Sequence, residues 1–202
     1  MAETTKAGCI TGINPIEKFR ELFEKAAKNE AYDHTACCLA TVDHQGRPTN
    51  RMVLLKGFDE RGFVFYTNRL SPKGQHLAKN PYAALCFYWP SIGDQVRIEG
   101  HVEQTSDEES DAYFATRPRG SQLGAWASHQ SQPLPSRVEL ISRYMQYKVR
   151  FMGRSVPRPP FWGGYRIIPE RIEFWHNGLF RLHDRFLYTR CDDGWSVVRL
   201  SP

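Results

Sequence analysis

The sequence predicts a mainly β fold with flanking helices, its strands curled into a barrel. Three observations carry that expectation. Apolar residues recur at helical spacing only up to about residue 30, and at Thr35 the pattern changes to short extended runs separated by turn residues. After a helical stretch, extended runs return from Tyr165 to the end of the chain and complete the sheet.

Asn14, Pro15 and Glu17 have the order of an N-cap, a first-turn proline and a third-position acid. Ile16, Phe19, Phe23 and Ala26 follow on one face, giving a helix over about residues 15–30. Residues 1–13 read as a flexible arm ahead of it. From Thr35, ACCLATV, NRMVLLKGF and FVFYT form a three-strand meander turning at DHQGRP and DERG. Ser71 and Pro72 open a short helix to about Asn80. YAALCFYW and QVRIEGHVEQ, joined at SIGD, add two strands, and five antiparallel strands at such short spacing suggest a barrel.

Ser106 and Glu109 make a capping box for a helix to about Arg117, where Pro118 stops it. Residues 121–150 continue as helix around a break at QSQPLPS. Beyond the Pro/Gly-rich loop GRSVPRPPFWGG, the runs YRIIP, RIEFW, RFLYTR and WSVVRL are strands, the last two joined at CDDG. No internal repeat or low-complexity tract divides the chain, so residues 1–202 read as a single domain.

With 202 residues, 41% of them apolar, the chain can bury a core without a disulfide or metal staple. Lys and Arg (27) exceed Asp and Glu (22), which favours an anionic partner. The longest apolar runs, such as Ala83 to Trp89, fall far short of the roughly 18–20 residues that span a bilayer, so no membrane span is expected. The start, MAETTKAGCI, lacks the order of a secretory signal. Five cysteines without C-x-x-C spacing fit reduced thiols in the cytoplasm, and no group has metal-ligand spacing. The aromatic residues lie in apolar strand runs and not along a basic stripe, which argues against nucleic acid as the partner.

Several patterns suit an anion. If RLHDR is extended, Arg181, His183 and Arg185 project to one face, and such a row repels itself unless an anion or solvent covers it; a charge-protected edge strand would look the same. Tyr113 and Arg117 stand at i and i+4 of a helix with Ser121 soon after, a set matching a phosphate's oxygens or, more simply, a surface pair with a cap. Arg51 and Lys56 bracket a strand core, and their odd separation sends them to opposite faces. Ser71-Pro72-Lys73 at a helix start offers free amides and a cation to a second phosphate. Trp175 with Gln95, Gln130 and Ser131 could stack on and hydrogen-bond a planar heterocycle, although a tryptophan is more often core.

Four ordered blocks together resemble the pyridoxine (pyridoxamine) 5′-phosphate oxidase family: RMVLLKGFDERGFVFYTN (Arg51 to Asn68), YFATRPRGSQLGAWAS with QS (Tyr113 to Ser131), FWGGY (Phe161 to Tyr165) and EFWHNGLFRLHDRF (Glu173 to Phe186). The resemblance runs from about Asp33 to Pro202. It implies an FMN-binding split β-barrel forming a homodimer, with FMN at the subunit interface. For FMN it implies contact by Arg51, Met52, Val53, Leu54, Leu55 and Lys56, by Tyr66, Thr67, Lys73 and Gln95, and by Gln130, Ser131, Trp175 and Arg185. For the substrate it implies Lys56, Tyr113, Arg117 and Ser121 around the phosphate, with Arg181 and His183 near the pyridine ring as the catalytic pair. The implied reaction oxidises C4′ of pyridoxamine or pyridoxine 5′-phosphate to pyridoxal 5′-phosphate, with hydride passing to the flavin, O2 as acceptor and H2O2 as product. A related flavin oxidase of phenazine biosynthesis is the alternative; the set Lys56, Tyr113, Arg117 and Ser121 argues against it. Pro72 stands where the family commonly has an arginine, Asp94 where a basic residue often precedes the glutamine, and His176 where glutamine often follows the tryptophan.

Overall fold

The computed structural model describes residues 14–192 and 194–202. The arm at residues 1–13, and Asp193 in the turn CDDG, lie outside the described residues. Helix α1 (Pro15–Asn29) begins as its residues dictate: the Asn14 side chain accepts a hydrogen bond from the Ile16 amide at 2.9 Å, and Pro15 occupies the first turn. Its apolar stripe is buried, and the Phe19 ring meets those of Phe58, Phe63 and Phe87 edge-on with centroids 4.9–5.2 Å apart.

The strands are β1 (Ala36–Val42), β2 (Pro48–Leu54), β3 (Gly57–Asp59), β4 (Gly62–Asn68), β5 (Tyr82–Trp89), β6 (Asp94–Gln104), β7 (Trp162–His176), β8 (Asp184–Cys191) and β9 (Gly194–Leu200). Among the described residues they form one antiparallel sheet in the order β2-β1-β5-β6-β7-β4-β3, with β8 and β9 continuing from β7. Helices α2 (Pro72–Lys79), α3 (Asp107–Thr116), α4 (Arg119–Ala127) and α5 (Arg137–Arg150) complete the chain. At the head of α3, the Ser106 hydroxyl accepts from the Glu109 amide, as the capping-box pattern requires.

Two strand boundaries differ from expectation. NRMVLLKGF is not one strand but two, because the chain changes partner at Leu55 and Lys56. The Leu55 amide donates to Thr35 on the β1 side, whereas the Lys56 amide donates to Val64 of β4. YRIIP and RIEFW, conversely, are one 15-residue strand that runs through Pro169. A register shift at Glu99/Gly100 places Gly100 opposite the proline, where the missing N–H requires a break in the ladder.

RLHDR is a third correction. Arg181 closes a 3-10 turn (Leu179–Arg181), and Phe180 and Arg181 have φ of 56° and 65°. Only Asp184 and Arg185 are in the strand, so Arg181, His183 and Arg185 do not form one extended row. The turn is tight because Gly178 sits under it: a Cβ there would lie 1.9 Å from the Leu182 carbonyl oxygen. The cysteines give a fourth. Cys37, Cys38 and Cys86 are free thiols, but Cys191 is disulfide-bonded, and a lone cross-link leaves no spacing signature.

Strand alternation divides the sheet into two faces. Inward residues such as Leu39, Leu85, Phe87, Val96, Ile98, Ile172 and Phe174 form the main core with α1. A second cluster, with Phe114, Leu123, Phe151, Val156 and Trp162, joins the later helices to the start of β7. On the outward face, register aligns Met52, Cys38, Cys86, Arg97, Glu173 and Leu187 in one row. Leu54 lies opposite Ala36, and Tyr88, Gln95, Trp175 and Arg185 form a further row. Met52, Leu54 and Tyr88 are exposed on this face.

Candidate active site

A cavity of about 700 Å³ opens between the β2 end of the outward face and helices α3 and α4. Met52, Val53, Leu54 and Lys56 line one wall, Tyr66, Thr67 and Lys73 the floor, and Tyr113, Arg117, Ser121 and Gln130 the other. Lys56, an even number of steps from Met52 and Leu54, lines the cavity with them, whereas Arg51 does not, in keeping with the odd separation of the two cations.

Lys73 is 8% exposed. Its Nζ donates to the Thr67 hydroxyl (3.1 Å), the Ser71 hydroxyl (3.1 Å) and the Gln130 side-chain oxygen (3.2 Å). These partners are neutral. Burial, and the nearby Arg51 guanidinium, lower its pKa to about 8. Ser71 occupies the N-cap of α2, yet its hydroxyl donates to the Asn68 carbonyl and does not cap the helix.

The rings of Tyr66 and Tyr113 stack with centroids 4.0 Å apart, and Tyr66 stacks on Trp162 at 5.3 Å. Burial pushes the Tyr66 phenol up to about 12 and raises that of Tyr113, so both remain hydroxyl donors. The stack needs the second glycine of FWGGY: a Cβ on Gly164 would meet the Tyr66 ring at 2.7 Å and the Thr105 hydroxyl at 2.5 Å. Arg117 lies just past the end of α3, not on it, with its guanidinium 4.9 Å from the Trp162 ring centroid. Its Nη1 is buried and has no hydrogen-bond partner. A buried guanidinium nitrogen without an acceptor is costly, and an anionic oxygen in the cavity would satisfy it.

Other residues singled out from the sequence stand elsewhere. Leu55 points into the main core. Arg51 donates to the Leu39 carbonyl and the Thr41 and Thr49 hydroxyls along the β1–β2 edge. Ser131, with φ of 67°, follows Gln130 but does not line the cavity. Gln95, Trp175 and Arg185 share one row of the outward face at its β6–β8 end. His183 packs on Trp175 with ring centroids 4.6 Å apart, and its Nδ1 accepts from the Gly178 amide. In the sheet order β2 and β7 are four strand steps apart, roughly 19 Å measured along the sheet at the usual strand spacing.

Two residues had no part in the expected site. Trp162 supplies the platform under Tyr66 and Arg117; its signal was the FWGGY block, where a large ring precedes two glycines. Glu173, inside the EFW block, is buried and paired with both Arg97 and Arg185. A charged residue alternating with apolar ones in RIEFW is the pattern of an exposed position and gave no hint of burial.

Comparison with known proteins matches two family descriptions. Residues 22–150 match pyridoxamine 5′-phosphate oxidase, and residues 162–202 match the pyridoxine 5′-phosphate oxidase C-terminal dimerisation region. The pyridoxine/pyridoxamine 5′-phosphate oxidase of Rubrobacter xylanophilus is 59% identical over 99% of this chain and 94% of its own. The protein of the same name from Myxococcus xanthus is 55% identical over 94% of this chain and 92% of its own. Among solved structures, PhzG from Burkholderia lata 383, in complex with tetrahydrophenazine-1-carboxylic acid, superposes with a TM-score of 0.87 at 29% identity, covering 96% of this chain and all of its own. A pyridoxamine 5′-phosphate oxidase-related, FMN-binding protein from Nostoc punctiforme shares the fold, with a TM-score of 0.77 at 19% identity and coverage of 95% and 99%. Among the described residues no helix is long and apolar enough to cross a membrane.

Proposed function

The chain belongs to the pyridoxine/pyridoxamine 5′-phosphate oxidase family, and from that premise we propose that it oxidises pyridoxamine and pyridoxine 5′-phosphate to pyridoxal 5′-phosphate with FMN as cofactor. The observation that carries the assignment is a cavity lined by two cations that have no carboxylate partner among the described residues: Lys73, which is buried, and Arg117, which is half-buried with its Nη1 buried and unpaired. Two phosphorylated ring compounds supply the two missing anions. Lys73, with Thr67 and Gln130 beside it, holds the FMN phosphate. Arg117, Tyr113, Ser121 and Lys56 hold the substrate phosphate.

Bound FMN supplies the two-electron acceptor, and O2 reoxidises it with release of H2O2. The protein fixes the substrate by its phosphate, so that binding energy at a remote group orients C4′ toward the cofactor ring. The Tyr66–Tyr113–Trp162 stack keeps that cavity flat-walled. Arg181 and His183 complete the site near the pyridine ring, His183 oriented by its packing on Trp175.

The row Gln95, Trp175 and Arg185 does not line the cavity, and β1 and β5 stand between its strands and β2 in the sheet order, which supports a reading in which one flavin meets the two in different chains. A second copy, applied face to face about a two-fold axis, brings the Trp175 end of one protomer to the β2 end of the other. We therefore infer a homodimer with FMN at its interface, which the match to a dimerisation region supports. The alternation of Met52, Leu54 and Tyr88 on the outward face suits burial there. A cytoplasmic enzyme fits this reading.

An aerobic assay with pyridoxamine 5′-phosphate and FMN, following aldehyde and peroxide together, tests the reaction. Equal amounts of both products are expected. Turnover of unphosphorylated pyridoxine as efficient as that of its 5′-phosphate would defeat the assignment of Arg117.

A further inference from the structure

Glu173 is 7% exposed on β7, and both its oxygens are engaged. Oε1 accepts from Nε of Arg185 at 2.8 Å and lies 2.8 Å from its Nη2. Oε2 accepts from Nη1 of Arg97 at 3.1 Å. The remaining terminal nitrogen of Arg185 donates to the Ser201 carbonyl at 3.0 Å. Arg185 is thus gripped at all three nitrogens, two of them by one buried carboxylate, while its neighbours in the row are Trp175 and Gln95.

A carboxylate withdrawn from water is destabilising unless it is paired, and removing one partner of such a group costs more than the pair itself contributes. Here the pairing has a geometric result. An arginine side chain has many rotamers, and freezing them when a ligand binds weakens the complex; a guanidinium already fixed in its fork contributes its donors without that loss. Arg97 shares the charge of Glu173 and is itself paired with Glu99 at 2.5 Å. With Arg171 on the other oxygen of Glu99, three arginines stand against two carboxylates and leave the cluster positive, the sign that attracts an anionic ligand.

Resting on the reading of Arg185 as an FMN contact, we infer that Glu173 is a positioning residue for the cofactor: it clamps Arg185 beside Trp175 in the orientation that receives FMN on the partner's cavity. It touches no reacting atom and acts only through Arg185.

The test is FMN titration of flavin-free dimer, read by quenching of flavin fluorescence, for the parent, Glu173→Gln, Arg185→Ala and the double variant. Glu173→Gln is expected to weaken FMN binding about tenfold, the size of one lost charge-assisted contact. Arg185→Ala should weaken it at least as much, and the double variant no further than Arg185→Ala, because the first residue works through the second. In the FMN-saturated enzyme, Glu173→Gln should leave KM for the phosphorylated substrate at the parental value. Parental FMN affinity in Glu173→Gln, or losses that multiply in the double variant, would overturn the inference. If circular dichroism shows that Glu173→Gln does not fold, Arg185→Lys replaces it. Lysine keeps the charge but cannot be gripped at two nitrogens, so a tenfold loss supports the clamp and parental affinity refutes it. A parent that binds no FMN at all refutes the proposed function instead, and the two failures are told apart by that control.

Discussion

Lys73, buried, and Arg117, half-buried, both bring a cation to the cavity, yet they sit there for different ends, and substitution separates them. Arg117→Ala removes the unpartnered guanidinium, so KM for the phosphorylated substrate should rise about ten- to a hundredfold while kcat changes little, as steady-state kinetics would show. Lys73→Met deletes a charge solvated only by neutral groups. The flavin-free protein should gain about 1–2 kcal/mol of stability in denaturant melts, whereas FMN binds about ten- to a hundredfold more weakly. Its pH behaviour follows from the same burial. The folded pKa of about 8 lies below the value of an exposed lysine, so between them the unfolded chain holds the extra proton. Stability of the flavin-free protein should therefore rise with pH across that window, the penalty of the buried charge being fully present below about pH 8. FMN affinity should run the other way and fall as pH rises through about 8, because the phosphate needs the ammonium form. Isothermal titration at several pH values checks the sign.

At the scale of elements, the helix starts were legible because a cap is a local, chemical event. Asn14 and Ser106 bind the amides that their spacing promised. Strand limits were less legible, since partners decide them. Nothing within NRMVLLKGF reveals that Leu55 ends one pairing and Lys56 begins another, and nothing within YRIIPERIEFW reveals that a bulge at Glu170, next to Pro169, lets one strand continue. The turn after β7 misled for a similar reason. RLHDR alternates like a strand, but the decisive residue is Gly178, which allows the Leu182 carbonyl to close over it. Gly178→Ala should force that turn open and displace Arg181 and His183. A fall in kcat of more than about tenfold is expected with little change in melting temperature, because Leu179 and Phe180 at its tip are 83% and 91% exposed and hold no core together.

The whole molecule divides its candidate ligand groups between two regions of one face, and the sequence could show only that both were present, not that they were apart. Their separation appears once the strand order is known. If two copies complete each other, a chain lacking Arg117 and a chain lacking Arg185 should rescue one another when unfolded together and refolded. Half of the resulting dimers are mixed, each with one intact site, so at substrate and FMN concentrations low enough to leave each variant alone nearly inactive, about a quarter of parental activity should return. An absence of recovery would place both residues in the same protomer's site. Strand β7 explains why such exchange of lesions stays clean. It carries Trp162 at its first position and Trp175 near its last, and β6 braces it along most of that length. If each site is shared between two copies, this strand is a gauge rod with its two ends in different chambers, and the distance between the chambers is set by the length of a strand and not by the softness of the seam between copies.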